Sequence, residues 1–243
     1  MSDGAVGRRH AICIITAALL LFVAGEALAE SCAEIDVEAK QVLASPAQRS
    51  DLGTLKHIAK RASENPDCGG EYVFGLGRDL ALHALNDLDK KAVAEKRPLA
   101  SSELEPLSEL SRPWQLMARL GEAYSVENDW FRAFEAYDIA LANLNTGKSE
   151  ERRVFVELYA KAVVARAFLA SETANDRSQS RPNVPEFRTH RGGPAVERAL
   201  LDDAVWKRVE MSSDRRLLQA YLVEFPNGAH ATMAKNKLAD LAK

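Results

Sequence analysis

The chain has 243 residues, of which 47% are hydrophobic and 28% charged, and its formal net charge is -3. These values are typical of globular proteins that bury a core and remain soluble, and the length suits one or two domains. The slightly acidic balance argues against a nucleic-acid-binding protein, because such binding requires a concentrated basic field.

The first 29 residues have the three-part layout of a secretory signal peptide. Arg8 and Arg9 form a basic start, residues 11–25 are almost all apolar, and Ala27-Leu28-Ala29 is a small-x-small cleavage pattern. A membrane anchor is the alternative, but it needs about 20 consecutive apolar residues, and this run is shorter. We therefore expect a periplasmic or secreted protein, cleaved after Ala29, with no stable membrane insertion afterwards.

Two cysteines remain once the signal segment, with Cys13, is removed. Cys32 and Cys68 form an even pair, and such pairs in an oxidising compartment favour a disulfide. The bridge would close a loop of about 37 residues and stabilise the fold by about 4 kcal/mol. Two unpaired thiols are the alternative. Neither cysteine has the neighbours of a zinc site, so we expect no metal there.

Apolar residues recur at helical intervals along the mature chain, and no stretch alternates as a strand does. The fold class predicted is therefore all-α. Helices are predicted over 33–43, 51–63, 71–90, 114–124, 130–144, 149–171, 196–210, 214–225 and 229–241. Residues 94–111 are predicted to be a connector that holds at most one short helical turn. The stretch between the predicted helices 149–171 and 196–210 is rich in Pro, Gly and Ser, which predicts a flexible linker over 173–194. This linker divides the chain into a helical domain over 30–172 and a C-terminal hairpin region over 195–243.

The two predicted helices between residues 114 and 147 carry a spaced pattern of small and large residues. The small residues, at positions where two helices nearly touch, are Gly121, Ala133 and Ala140. The large residues, which fill the space within the hairpin, are Leu120, Tyr124 and Tyr137. The pattern resembles one tetratricopeptide repeat, a helical hairpin of about 34 residues. Met117 and Asn145 depart from it, standing where that family often has Trp and Pro. One repeat cannot bury its faces alone, so the resemblance implies a short array of degenerate hairpins.

A second pattern lies near the C-terminus. Tyr221-Leu222 is followed by Phe225-Pro226, Gly228 and then His230-Ala231. This order is similar to a helical hairpin of many bacterial envelope and adaptor proteins, in which a helix ends in Phe-Pro and an Ala-rich helix follows. The resemblance implies a hairpin that accompanies repeat arrays, and it indicates no single function.

Motifs for chemistry are absent from the sequence. No nucleophile elbow, phosphate-binding loop or HExxH zinc motif occurs. We therefore expect no catalytic residues, no metal and no cofactor, and a protein that is not an enzyme.

Candidate partner-binding residues fall in two groups. Trp114, Asn128 and Trp130 lie at the ends of the repeat-like hairpin. In the predicted linker, Arg177, Arg181, Arg188 and Arg191 are opposed between residues 177 and 191 only by Glu186. That basic segment is either a grip for an anionic polymer or lipid head group, or a solvated tether.

These features together predict a periplasmic protein–protein interaction scaffold of the bacterial envelope. A peptide segment or another subunit, whose identity the sequence does not specify, would bind the repeat-like surface. Two alternatives remain open at this stage. One is an envelope enzyme or enzyme accessory protein, which a convergent pair of acids in one cleft would favour. The other is a self-associating structural protein with a large apolar surface patch.

Overall fold

The computed structural model describes residues 31–175, 187 and 197–243, and over these residues the chain forms eleven helices and no strand. The prediction of an all-α fold built from helical hairpins is thus confirmed. The helices are α1 (Cys32–Ala44), α2 (Pro46–Arg49), α3 (Leu52–Glu64), α4 (Gly70–Glu95), α5 (Ser101–Ser108), α6 (Trp114–Val126), α7 (Trp130–Ala142), α8 (Ser149–Asn175), α9 (Arg198–Val209), α10 (Arg215–Glu224) and α11 (Ala231–Asp240). The predicted signal peptide lies outside the described residues.

A disulfide ties the start of α1 to the loop between α3 and α4. Cys32 and Cys68 are bonded, with 5.3 Å between their Cα atoms, which confirms the predicted pairing. Ser31 and Glu34 add a reciprocal cap: each side chain accepts a hydrogen bond from the other residue's backbone amide. The first helix is therefore fixed at its N-terminus both covalently and by hydrogen bonds.

The connector predicted over residues 94–111 is partly wrong, because α4 runs on to Glu95 and α5 occupies Ser101–Ser108 despite Pro106. Two buried leucines, Leu104 and Leu107, hold α5 against the core. The Glu127 carboxylate accepts hydrogen bonds from the Ser101 amide (2.8 Å) and hydroxyl (2.7 Å). Tertiary contacts thus stabilise a helix that its local sequence alone disfavours.

Helices α6 and α7 form a tight hairpin, joined by a turn at Asn128 with φ 62°. The Asp129 amide donates to the Tyr124 carbonyl (2.9 Å) and the Asn128 amide to the Ser125 carbonyl (3.3 Å), which together close the end of α6. The Asp129 side chain then caps α7 by accepting from the Arg132 amide. The turn signal in the sequence therefore marks a helix end and a helix start.

Helix α8 packs against α7, α9 and α10 and so connects the helices of the second half of the chain. It extends to Asn175 and so includes residues 173–175 of the predicted linker. Most of the remaining linker lies outside the described residues, but Phe187 is buried. The buried apolar residues form one cluster that runs from Ile35 to Ala234, so the C-terminal helices share the core of the helices before them.

Candidate functional site

A groove, called here the central groove, is lined by α4, α6 and α8. It consists of two adjoining cavities of about 340 and about 300 Å³ that share Asp89, Arg119 and Glu122. The first cavity holds Trp114 at the start of α6 and the second holds Val126 at its end.

A row of ion pairs crosses the middle of the central groove. Arg119 on α6 contacts Asp89 on α4 (3.4 Å) and Glu122 one turn further along α6 (3.1 Å). Glu122 in turn accepts a hydrogen bond from Lys161 on α8 (2.5 Å). Lys161 also contacts Glu157, which lies 3.6 Å from Arg208 on α9. The row therefore links four helices and leaves little net charge on the groove floor.

Glu122 is the most constrained carboxylate of this row. Burial works against its ionisation, but hydrogen bonds and charges from Lys161 and Arg119 outweigh it and lower its pKa below the ordinary value. A carboxylate held in this way is ionised at neutral pH and acts as an ion-pair partner, not as a proton donor. The groove chemistry thus favours holding polar groups of a ligand over acid–base catalysis.

The far end of the central groove is apolar and open to solvent. Val93 on α4 is 77% exposed and Val126 on α6 is 67% exposed, and both line the same cavity. Large apolar side chains exposed together in a concavity, beside a polar row, are typical of a surface that binds another chain.

The residues that carry the tetratricopeptide resemblance lie inside the α6–α7 hairpin. All six are buried: Leu120, Gly121, Tyr124, Ala133, Tyr137 and Ala140. A Cβ atom added to Gly121 would lie 2.6 Å from the Tyr137 ring, so only glycine permits this approach. The Tyr124 hydroxyl donates to Glu105 on the preceding helix (2.7 Å). Burial and this bond raise the pKa of Tyr124 to about 12, and the residue joins the hairpin to α5.

The structure does not bring the two predicted partner-binding tryptophans together. Trp114 lines the central groove at the start of α6, whereas Trp130 starts α7 at the opposite end of the hairpin. The Trp130 ring stacks on Phe168 of α8, with 4.4 Å between ring centroids. Asn128 is exposed at the turn and serves as its left-handed residue. Of these three residues, only Trp114 belongs to the central groove.

The basic segment of Arg177, Arg181, Arg188 and Arg191, predicted to be either a grip or a solvated tether, lies outside the described residues. Phe187, from the same stretch of sequence, packs between α7 and α8. Its ring centroid lies 5.1 Å from that of Phe134 and 5.0 Å from that of Tyr159, and the Arg166 guanidinium lies over it.

The C-terminal pattern is organised around a buried carboxylate that sequence reasoning missed. Asp202 on α9 accepts hydrogen bonds from the Tyr221 hydroxyl (2.5 Å) and the Ala229 amide (2.6 Å). A Cβ on Gly228 would lie 2.5 Å from the same carboxylate, which accounts for glycine in the turn. Burial and the hydrogen bond to Asp202 raise the pKa of Tyr221. His230 stacks on Trp206 and bonds Asp203 (2.8 Å).

Metal-binding clusters and membrane-spanning helices are both absent from the part of the chain that the structure describes. Histidine, cysteine and acidic side chains in residues 31–175 and 197–243 form no group of three that could hold a metal ion. None of the described helices combines the length and apolarity needed to cross a bilayer.

Sequence reasoning also missed the charged residues of the central groove, Asp89, Arg119, Glu122 and Lys161. The available signal was their spacing, since Gln115, Arg119, Glu122 and Val126 recur every three or four residues along one face of α6. That face becomes meaningful only when α4 and α8 flank it. Comparison with family models, curated proteins and solved structures found no match to this chain.

Proposed function

We propose that this protein is an exported scaffold of the bacterial envelope that binds a segment of a partner protein in the central groove. The observation that carries the proposal is the pair of exposed valines, Val93 and Val126, beside the ion-paired row of Asp89, Arg119 and Glu122. An amphipathic segment fits such a surface, since its apolar side chains cover the valines and its polar groups meet the charged row.

The charge of the groove indicates which kind of segment fits. Arg119 and Lys161 are each paired with carboxylates of the groove itself, so the floor attracts neither strongly acidic nor strongly basic chains. Affinity would come mainly from the apolar contacts, and burying one valine is worth about 1.5 kcal/mol or somewhat more. The partner segment is therefore expected to carry at least two apolar anchors flanking uncharged polar residues.

Three features support an exported scaffold of this type. The N-terminal segment has the layout of a signal peptide, and the Cys32–Cys68 disulfide suits an oxidising compartment. The close approach of Gly121 to Tyr137, with buried Ala133 and Ala140, is the packing that a tetratricopeptide-like hairpin requires.

Mass spectrometry of the protein from the envelope fraction should show a chain that begins at Glu30.

The test of binding is site-specific photocrosslinking in living bacteria. A photoreactive amino acid at Val93 or at Val126 should give the same crosslinked partner, whereas the same amino acid at Met211, which is 88% exposed on another part of the chain, should not. Val126→Lys should then weaken recovery of that partner about tenfold or more, with an unchanged helical circular dichroism signal. A partner that crosslinks equally from Met211, or none from either valine, would count against the groove.

A further inference from the structure

A second groove, of about 550 Å³, lies between α8 and α10. It is called the α8–α10 groove. Its floor is made of small and apolar side chains: Val163, Ala167, Ala170 and Ala220. Alanines on facing helices keep the floor low, so a side chain from outside can enter between them.

Val223 stands beside this depression and is 76% exposed. One surface therefore carries both an apolar knob and an apolar hole. A contact between two identical copies related by a two-fold axis needs this property, because each residue must meet its complement on the same patch. With the copies antiparallel, Val223 of each enters the groove of the other.

The charges along α10 have the same symmetry. Arg216 and Glu224 lie four residues on either side of Ala220 and line the groove with it. Four residues of helix span about 6 Å, so an antiparallel copy centred on Ala220 sets Arg216 opposite Glu224 of the other copy. Like charges do not meet in this arrangement.

Among the residues that the structure describes, the charges at each end of the α8–α10 groove are also paired within one copy. Arg216 pairs with Asp214 (2.6 Å) at one end, and Arg166 lies 3.8 Å from Glu224 at the other. Glu224 additionally accepts a hydrogen bond from Tyr159. Covering the groove therefore keeps each of these four charged side chains beside its counter-charge. Burying a charge without a partner would be the main cost of such a contact.

From the knob, the hole and the symmetric charges, we propose that the α8–α10 groove is the interface of a homodimer, formed by antiparallel contact of α10 with α10 of a second copy. Two short helices and their neighbours bury a small area, so the dimer is weak and its population rises with concentration. The interface is separate from the central groove, so its failure and failure of the proposed function are distinguishable.

The first test measures the mass of the protein in solution. The protein is expressed from its full-length coding sequence and purified after any processing by the cell. Sedimentation equilibrium from about 1 to about 500 µM should show the weight-average mass rising toward twice that of the monomer, with Val223→Lys remaining monomeric. Val93→Lys is the matched control, because Val93 is 77% exposed and Val223 76% exposed, and it should dimerise normally. A wild-type mass that stays monomeric, or an unchanged Val223→Lys dimer, overturns the proposal.

The second test fixes the geometry. A residue on a two-fold axis meets its own copy, so Ala220→Cys should form a disulfide-linked dimer on mild oxidation, with the Cys32–Cys68 bridge intact. Met211→Cys, which is more exposed but away from the groove, should crosslink at least tenfold more slowly. Equal rates for the two variants, or crosslinking of Ala220→Cys that persists in the Val223→Lys background, would place the contact elsewhere.

Discussion

Replacement of Asp202 by alanine is the most informative perturbation of the C-terminal hairpin. The carboxylate accepts from the Tyr221 hydroxyl at 2.5 Å and from the Ala229 amide at 2.6 Å. Tyr221 is fully buried at 0% exposure, so its hydroxyl would lose its acceptor without access to water. The amide of Ala229 is only partly buried and can bond water instead. With about 1.5–3 kcal/mol for a hydrogen bond to a charged group, we expect a loss of about 3 kcal/mol in the free energy of unfolding.

Two companion variants separate this effect from general damage. Tyr221→Phe removes one donor and leaves the carboxylate bonded to Ala229, so it should cost about 1.5 kcal/mol. The double variant should cost about as much as Asp202→Ala alone, because phenylalanine needs no acceptor. The resulting coupling energy of about 1.5 kcal/mol is the signature of a direct pair.

Asp203→Ala is the matched control, since Asp203 is the next residue and its partner His230 lies near the surface. An exposed pair of this kind contributes about 0.5 kcal/mol or less. Urea unfolding followed by circular dichroism measures all four variants, with the slope m checked for constancy. If Asp202→Ala unfolds within 0.5 kcal/mol of Asp203→Ala, or if Asp202→Ala and Tyr221→Phe are additive, the assignment of Asp202 as the organiser of the turn is wrong.

Three further predictions concern the rest of the fold. Gly121→Ala should lower the free energy of unfolding by about 1–3 kcal/mol, because the added methyl group overpacks against Tyr137. Gly75→Ala is the control and should be neutral or stabilising, because a Cβ there meets nothing within 4 Å. The midpoints of urea unfolding measure both variants. Reduction of Cys32–Cys68, which are 36 residues apart, should cost about 4 kcal/mol in the same assay. Because the folded-state pKa of Glu122 is lowered, its contribution is present above pH of about 4.5 and is lost as pH falls through the folded value. The drop in urea midpoint between pH 6 and pH 3.5 should therefore be smaller in Glu122→Gln than in the wild type.

The sequence predicts the helices well where both ends carry local signals. The turn at Asn128 and Asp129 is such a case, because a left-handed Asn and a capping Asp are visible in the sequence. The predicted end of α4, at Lys90, is too early, because the helix closes at Lys96 with φ 53° and no glycine marks it. Helix α5 is predicted as no more than one short turn, since Glu127, which bonds its first residue, is 26 residues away.

The candidate site is less predictable than the fold. The sequence identifies Trp114 but not the ion-paired row, because Asp89 and Arg119 are 30 residues apart and Glu122 and Lys161 are 39 apart. From the sequence alone, a charged residue on a helix face is equally compatible with a groove between helices and with an open, solvated surface. Only the packing of α4, α6 and α8 distinguishes a groove from three solvated surfaces.

The two proposed surfaces share α8 but lie on opposite sides of it. Glu157 lines the central groove and Arg166 the α8–α10 groove, and they are nine residues apart in sequence. Nine residues at about 100° each make two and a half turns, which puts the two side chains about 180° apart around the helix. A dimer formed through α10 therefore leaves both central grooves open, and the pair can hold two segments of one partner. Val223→Lys should then weaken capture of a two-segment partner more than capture of a single segment, because linkage of two sites raises the effective concentration at the second.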